Sequence, residues 1–536
     1  MRSHLPVLAA LLLSTPVVAQ PVGQIGAEQA ETAVAERSID ELAADMAAGR
    51  TTSEALVRAY LARIAAMDRQ GPTLRAVIAT NPQAIEQARA LDAERRAGKL
   101  RGPLHGIPVM VKDNIDTAEM PTTAGSLALK DNHTGRDAPV VARLRAAGAV
   151  ILGKTNLSEW ANIRSSRSMS GWSAIGGLVR NPYALDRTAC GSSSGSGAAA
   201  AASLAAATVG TETDGSIVCP ASINGLVGMK PTIGLVSRTH IVPISHSQDT
   251  AGPMARSVRD AAHMLTAMAG SDPADPTTAS ADSRRIDYAA GLDGNGLRGV
   301  RVGVVRPRGG MSPDLTRLFD AALEQMKAAG AVLVPVEMPA LDGLGAAEFQ
   351  VLLTELKADL DAYLATTPSQ VKARTLDDVI AFNTANTDRE MPFFGQELFI
   401  EASKTKGLDD PAYRTARATS LRLARREGID AMLAKADVSL LVAPTTGAAW
   451  PSDPVHGDQS DGPSASRLPA VAGYPHLTVP MGLIDSLPVG ISFYSTAWRE
   501  ALLLKAGYAF EQQAQGRRAP RYLPQADAGP GLDGTK

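Results

Sequence analysis

Residues 190–220 read CGSSSGSGAAAAASLAAATVGTETDGSIVCP, two Gly/Ser-rich turns on either side of an alanine-rich run. Glycine has no Cβ, so such turns can bring backbone N–H groups close to a ligand in conformations other residues do not hold. Gly/Ser-rich stretches are commonly flexible linkers. Here the first turn opens directly onto alanine, the best helix former, and the second closes the run. The stretch therefore reads as a loop–helix–loop held inside a fold. Ser192, Ser193 and Ser194 lie in its first turn and Ser216 in its second.

On both sides of this stretch, short apolar runs bounded by Gly and Pro alternate with helical spacing. Residues 107–111 (IPVMV) read as a strand, ended by Lys112, Asp113 and Asn114. Further strand-like runs occupy 149–152, 300–305, 331–336, 438–442, 477–479 and 489–493. Between them, Ser257 caps a helix that Gly270 stops. Strands alternating with helices predict an α/β fold around a largely buried sheet. Near the N-terminus, Ile39, Leu42 and Met46 recur at helical spacing, and further helices follow from Ser53 and Pro82. Residues 340–430 carry helical patterns and little strand signal, which suggests a helical cap. Residues 271–285 and 451–469 read as surface linker and exposed loop. Residues 519–536 have the composition of a disordered tail. The expected organisation is a leader (1–19), a surface segment (20–37), one domain (38–518) and that tail.

The leader follows from MRSHLPVLAALLLSTPVVAQ: Arg2, an apolar core too short to span a bilayer, then small residues suited to cleavage. An exported protein, periplasmic or secreted, is expected, with no membrane association after leader removal. A net charge of −2 and scattered basic residues give no electrostatic reason to expect nucleic acid. The 8 histidines are dispersed without ligand spacing, so no metal site is expected. The only cysteines, Cys190 and Cys219, flank the serine turns; they are read as small buried hydrophobes in preference to a bridge.

Two pattern matches sit in the wrong context. Residues 148–155 (GAVILGKT) fit the phosphate-loop spelling, but the four intervening residues want to be buried strand and a helix precedes them. Residues 191–195 (GSSSG) fit a nucleophile elbow that would make Ser193 an esterase nucleophile, with His456 or His476 as base. The elbow needs a strand directly before it, and NPYALDRTAC is not one. The combination with the best chemical sense is Lys112, Ser192 and Ser216. A serine needs a base to become a nucleophile, and a lysine neutralised by burial can serve.

Residues 190–231, with CGSSSGS and GTETDGSIVCPASINGLVGMKPT, resemble the signature of the amidase signature family of serine hydrolases. GPLHGIPVMVKDN (102–114), AVILGKTNLSEW (149–160) and AGYPHLTVPMG near the C-terminus resemble the same family. GKTNLSEWAN, GWSA and GTETDGSIVCPA look most like its peptide amidases. The resemblance implies a central sheet, mostly parallel or mixed, covered by helices on both faces. It places the family's lysine on Lys112, its bridging serine with a cis peptide bond on Ser192, and its nucleophile on Ser216. It places the oxyanion hole on the N–H groups of Thr213, Asp214, Gly215 and Ser216. It implies a small-molecule or peptide amide substrate, most of all C-terminal peptide amides, and no cofactor. Asp214 stands where the family commonly has Gly, and its carboxylate would oppose an oxyanion unless the side chain turns away. Trp160, Asn162, Trp172 and Trp450 are candidates for substrate contact, since rings with a polar handle suit such sites.

Overall fold

The computed structural model describes residues 33–460 and 462–526. The expected leader, residues 20–32 and residues 527–536 lie outside the described residues.

Short apolar runs become the strands of one sheet. They are β1 (Val77–Thr80), β2 (Pro108–Lys112) and β3 (Val150–Thr155), followed by a separate hairpin of β4 (Trp172–Ser173) and β5 (Gly177–Leu178). Then come β6 (Ala207–Glu212), β7 (Val227–Lys230), β8 (Thr250–Ala255), β9 (Arg301–Val305) and β10 (Val332–Val336). The last are β11 (Leu440–Pro444), β12 (His476–Ile484) and β13 (Leu487–Tyr494). The 11-stranded sheet has the order β1-β3-β2-β6-β8-β7-β12-β13-β11-β9-β10. Strands β3, β2 and β6 run parallel, as do β11, β9 and β10. The neighbours between these two blocks are antiparallel, so of the two arrangements expected the sheet is the mixed one. A tight turn joins β12 to β13, and a connection that short permits only an antiparallel pair.

Helices cover both faces, as alternation along β8 makes plain. Ala251 and Ala255 enter the main core with Val258, Leu265 and Phe510. Met254 points the other way, into a cluster with Ala200, Ala201, Ile217 and Ala221. Residues 340–430 form a helical layer whose Leu356, Leu360, Leu376 and Phe399 share a core with Trp160.

Four expectations change. The alanine run is not one helix: Ser194–Ala201 is helical, Ser203 turns with φ +53°, and residues from Ala207 enter the sheet. Helix propensity is a weak prior, and pairing of Ala207, Thr208 and Val209 with β2 overrides it. The 271–285 stretch folds into two short helical turns, Pro276–Thr278 and Ala281–Arg284, with Thr278 buried. In the 451–469 loop Val455 is exposed, but Ser466 is buried beside Gly215 and Leu468 is buried in an apolar cluster with Leu344 and Leu423. At the ends of the domain, Val34 is fully buried, and 522–526 docks through Tyr522 N to Pro182 O at 2.8 Å and Leu185 N to Leu523 O at 2.8 Å.

Candidate active site

Lys112 ends β2, every residue of which is buried. Its Nζ lies 2.7 Å from Ser192 Oγ, 2.9 Å from Thr211 Oγ1 and 3.4 Å from Thr211 O. No carboxylate is within ion-pair distance among the described residues. Burial pushes the amine down to about 7, while the carboxylates of Asp249 and Glu212 act against that shift. Asp113 points to the opposite side of the strand and pairs with Lys154 at 3.0 Å. All three neighbouring atoms are uncharged, and the two hydroxyls among them can also donate to the lone pair of an unprotonated amine. Asn114 Nδ2 donates to the same Thr211 hydroxyl at 3.0 Å. Sequence reasoning missed Thr211 and gave Asn114 no role, although Asn114 closes the KDN run.

The Gly191–Ser192 peptide bond is cis. Ser192 O accepts from Ser158 N at 3.0 Å. A Cβ at Gly191 would sit 2.3 Å from Ser158 Oγ, so only glycine allows this approach. Ser193 is locked into the sheet: its Oγ donates to Thr211 O at 3.0 Å and accepts from Thr211 N at 3.1 Å. Nor does a histidine serve it. His456 is exposed and pairs with Asp453; His476 is buried against Ser492 Oγ at 2.6 Å, and burial drives it down to about 3. In this geometry neither histidine can activate Ser193 as an elbow nucleophile. The phosphate-loop spelling falls in β3, whose six residues are all buried. Gly153 is there because a Cβ would meet Ala79 O at 2.5 Å.

The second turn follows β6. Gly215 has φ +82°, a left-handed conformation that glycine adopts without a Cβ penalty. The N–H groups of Thr213, Asp214, Gly215 and Ser216 donate to no group among the described residues. The next two are taken, since Glu212 Oε2 accepts from Ile217 N at 2.8 Å and Val218 N at 3.0 Å. Thr213 is anchored from outside by its hydroxyl, which donates to Asp249 at 2.6 Å. Asp214 turns its carboxylate toward Arg467, 4.0 Å from Nε. Ser193 N donates to Ser216 O at 3.2 Å and so ties the two turns together.

The reading of the cysteines is corrected. Cys190 and Cys219 are joined by a disulfide with a Cα–Cα distance of 6.1 Å. Once the turns are adjacent the two residues meet, and the bridge closes a loop of 29 residues around both serines. By loop entropy such a closure is worth about 3–4 kcal/mol.

Of the candidates for substrate contact, two are packed in the interior. Trp160 stands edge-on to Phe399 at 5.8 Å, and Trp172 edge-on to Phe393 and Phe394. The other two converge beside Gly191. Asn162 Nδ2 donates to Ser170 Oγ at 3.1 Å, and both Ser170 Oγ and Trp450 Nε1 donate to Asp458, the latter at 3.0 Å. Asp458 belongs to the 451–469 loop and had not drawn attention in the sequence.

A mixed α/β sheet that presents a buried lysine and two serine turns at one point defines a hydrolase scaffold. The Amidase family matches residues 55–504. A native peptide amidase from Stenotrophomonas maltophilia is 55% identical with a TM-score of 0.86, over 91% of this chain and 99% of that one. A peptide amidase solved with the competitive inhibitor chymostatin is also 55% identical, with a TM-score of 0.87 over 91% and 99%. A probable amidase of Arabidopsis thaliana is 38% identical over 502 residues, 91% of this chain and 92% of its own. The chain belongs to the amidase signature family and is an amide-hydrolysing enzyme.

Proposed function

We propose that the protein hydrolyses C-terminal carboxamides of peptides to the free carboxylate and ammonia through an acyl-enzyme on Ser216. The observation that carries this reading is the 2.7 Å contact between Lys112 Nζ and Ser192 Oγ, made where burial lowers the amine to about 7 and so makes its neutral form accessible near neutral pH. The lysine takes a proton relayed through Ser192 as Ser216 attacks the amide carbonyl. The free N–H groups of 213–216 stabilise the oxyanion, each donor worth on the order of 3 kcal/mol. Lysine then returns the proton through Ser192 to the departing ammonia, and water releases the acyl group by the same route. Each step needs only these groups.

Similarity to two solved peptide amidase structures supports the peptide class. Asn162 and Trp450 join through Ser170 and Asp458 beside Gly191, a polar corner suited to a peptide backbone. The same site would take other small primary amides if that corner were not selective. Export through the residue 1–19 leader is part of the proposal. N-terminal sequencing of the mature protein tests it: a start near residue 20 supports export, and a start at Met1 contradicts it.

The direct test is ammonia release from a C-terminally amidated dipeptide by wild type and by Ser216→Ala and Ser193→Ala. Activity lost in Ser216→Ala and kept in Ser193→Ala is expected. The opposite pattern overturns the assignment. Equal rates on the amidated dipeptide and on a simple aliphatic amide overturn the peptide specificity.

A further inference from the structure

Asp214 is the one acidic side chain within the turn 213–216 that carries the proposed oxyanion hole. Its surroundings are assembled from four parts of the chain. The helix Leu344–Ala365 contributes Glu348, nearly fully buried. Arg467, at the start of the helix Arg467–Ala472, places Nε 3.0 Å from Glu348 Oε2 and 4.0 Å from Asp214 Oδ2. Gln248 Nε2 donates to Glu348 Oε1 at 3.1 Å and also approaches Thr213 O at 3.3 Å. Gln248 therefore links the helical layer to the backbone of the turn itself. Ser466 Oγ lies against the same turn, 3.1 Å from where a Cβ of Gly215 would stand.

Asp214 Oδ1 is buried without a donor. An orphaned buried carboxylate oxygen is costly, and the groups beside Asp214 able to satisfy it are the Ser466 hydroxyl and a Glu348 carboxyl that keeps its proton. Asp214 and Glu348 both face Arg467 Nε, their nearer oxygens 4.0 Å and 3.0 Å from it, which brings the two carboxyls together. The cations facing the pair are Arg467, which is more than half exposed, and the buried Lys230 at the end of β7. Among the other acids nearby, Glu212 has Oε2 committed to Ile217 and Val218, and Asp249 is committed to Thr213, Ile244 and Ser245. Arg467 is partly screened and burial lowers Lys230 to about 8, so these two cations do not fully balance two buried carboxylates.

We propose that Asp214 and Glu348 are a positioning pair for the oxyanion turn, holding one proton between them in the active enzyme and clamping Thr213 through Gln248. The idea rests on the assignment of Ser216 as nucleophile. Loss of the shared proton places a second negative charge behind the N–H groups that must stabilise an oxyanion. Burial and the Asp214 charge push Glu348 up to about 8, so that loss falls just above neutral pH. The direction is fixed: both acids of the pair are raised, so the one-proton form persists at pH 7 and disappears as pH rises. Because the effect is on the transition state, it acts on kcat more than on KM.

The test is the pH dependence of kcat for an amidated dipeptide in wild type, Glu348→Gln, Asp214→Asn and Glu348→Ala, each profile normalised to its own maximum. Wild type should lose activity above about pH 8. Glu348→Gln leaves Asp214 as the only acid of the pair and should lose this alkaline limb, whereas Asp214→Asn removes the charge that adds to burial in raising Glu348 and should move the limb to lower pH. Glu348→Ala removes the clamp and should lower kcat roughly tenfold with KM within about twofold, and Glu348→Gln should restore most of it. A merely structural role would lower the melting temperature without moving the limb. The proposal is overturned if wild type has no alkaline limb, or if both amide variants keep it unchanged. Should Glu348→Gln fail to fold, Asp214→Asn decides alone. Ser216→Ala, run alongside, separates the two levels. If it is inactive while the limbs stay put, only the pair is refuted; if it remains active, the nucleophile and the pair fall together.

Discussion

Lys112 and Lys154 sit on neighbouring parallel strands, one step apart in register, and both are completely buried. Lys154 meets the Asp113 carboxylate at 3.0 Å, with Pro121 O at 3.1 Å and Thr122 Oγ1 at 3.0 Å. Lys112 meets hydroxyls and a carbonyl and has no carboxylate in contact. Because adjacent residues of a strand face opposite ways, β2 presents Lys112 to the serine turns and Asp113 to its neighbour's amine. Burial alone therefore does not make a base. The partner decides: a carboxylate compensates a charged amine, whereas hydroxyls leave desolvation to neutralise it.

The largest expected effect is on chemistry. Lys112→Met and Ser216→Ala should each reduce ammonia release by a factor on the order of 10³ or more, measured with an amidated dipeptide. A Lys112→Met enzyme within tenfold of wild type would break the comparison at its first term.

Stability should respond in opposite directions at the two lysines. Lys154→Met strands the buried Asp113 carboxylate and should cost about 3–5 kcal/mol in denaturant unfolding. Lys112→Met should raise the melting temperature at pH 7. The folded-state value of Lys112, about 7, lies below its unfolded value, so between them the unfolded chain binds more protons and native stability rises with pH. The wild-type fold therefore carries an unfavourable contribution near neutrality that shrinks toward pH 10, and the gain from Lys112→Met should shrink with it. Equal destabilisation by both substitutions would show that the two amines do the same work.

Next in size is the disulfide. Cys190→Ala with Cys219→Ala should lower stability by about 3 kcal/mol, with a smaller loss of activity as the two turns lose their common tie. Unchanged unfolding would mean that the contact from Ser193 N to Ser216 O suffices. Smallest is Thr211→Val, which removes the hydroxyl shared by Lys112 and Asn114. It should lower kcat about tenfold with little change in KM, because the amine loses orientation and not identity.

What could be read from the sequence follows the same physics. Apolar runs exposed β2, β3, β11 and β13, since a strand buried on both faces is written as a continuous hydrophobic stretch, and they exposed the half-buried edge strand β10 as well. β6 and β8 were illegible. ATVGTE continues an alanine run, and TAGPMA contains Gly and Pro, so each becomes a strand only because its neighbours pair with it. Lys112, Ser192 and Ser216 could be named from motifs and order along the chain. Thr211, Asp458 and Glu348 could not, because what matters about them is where a distant segment places them. Glu348 lies 134 residues beyond Asp214 (348 − 214 = 134) and meets it only through the fold. The disulfide shows the same limit: two cysteines give no pairing until the turns they flank are brought together.

The central claim is that Lys112 is neutral when the enzyme works. Its most direct test is kcat/KM against pH for a C-terminally amidated dipeptide, which reports ionisations of the free enzyme. The base must be unprotonated, so activity should be lost as pH falls, with an acid limb centred near the value of about 7 that burial gives Lys112. The residual rate of Lys112→Met should lack that limb. An acid limb near pH 4, or the same limb near pH 7 persisting in Lys112→Met, would contradict the account.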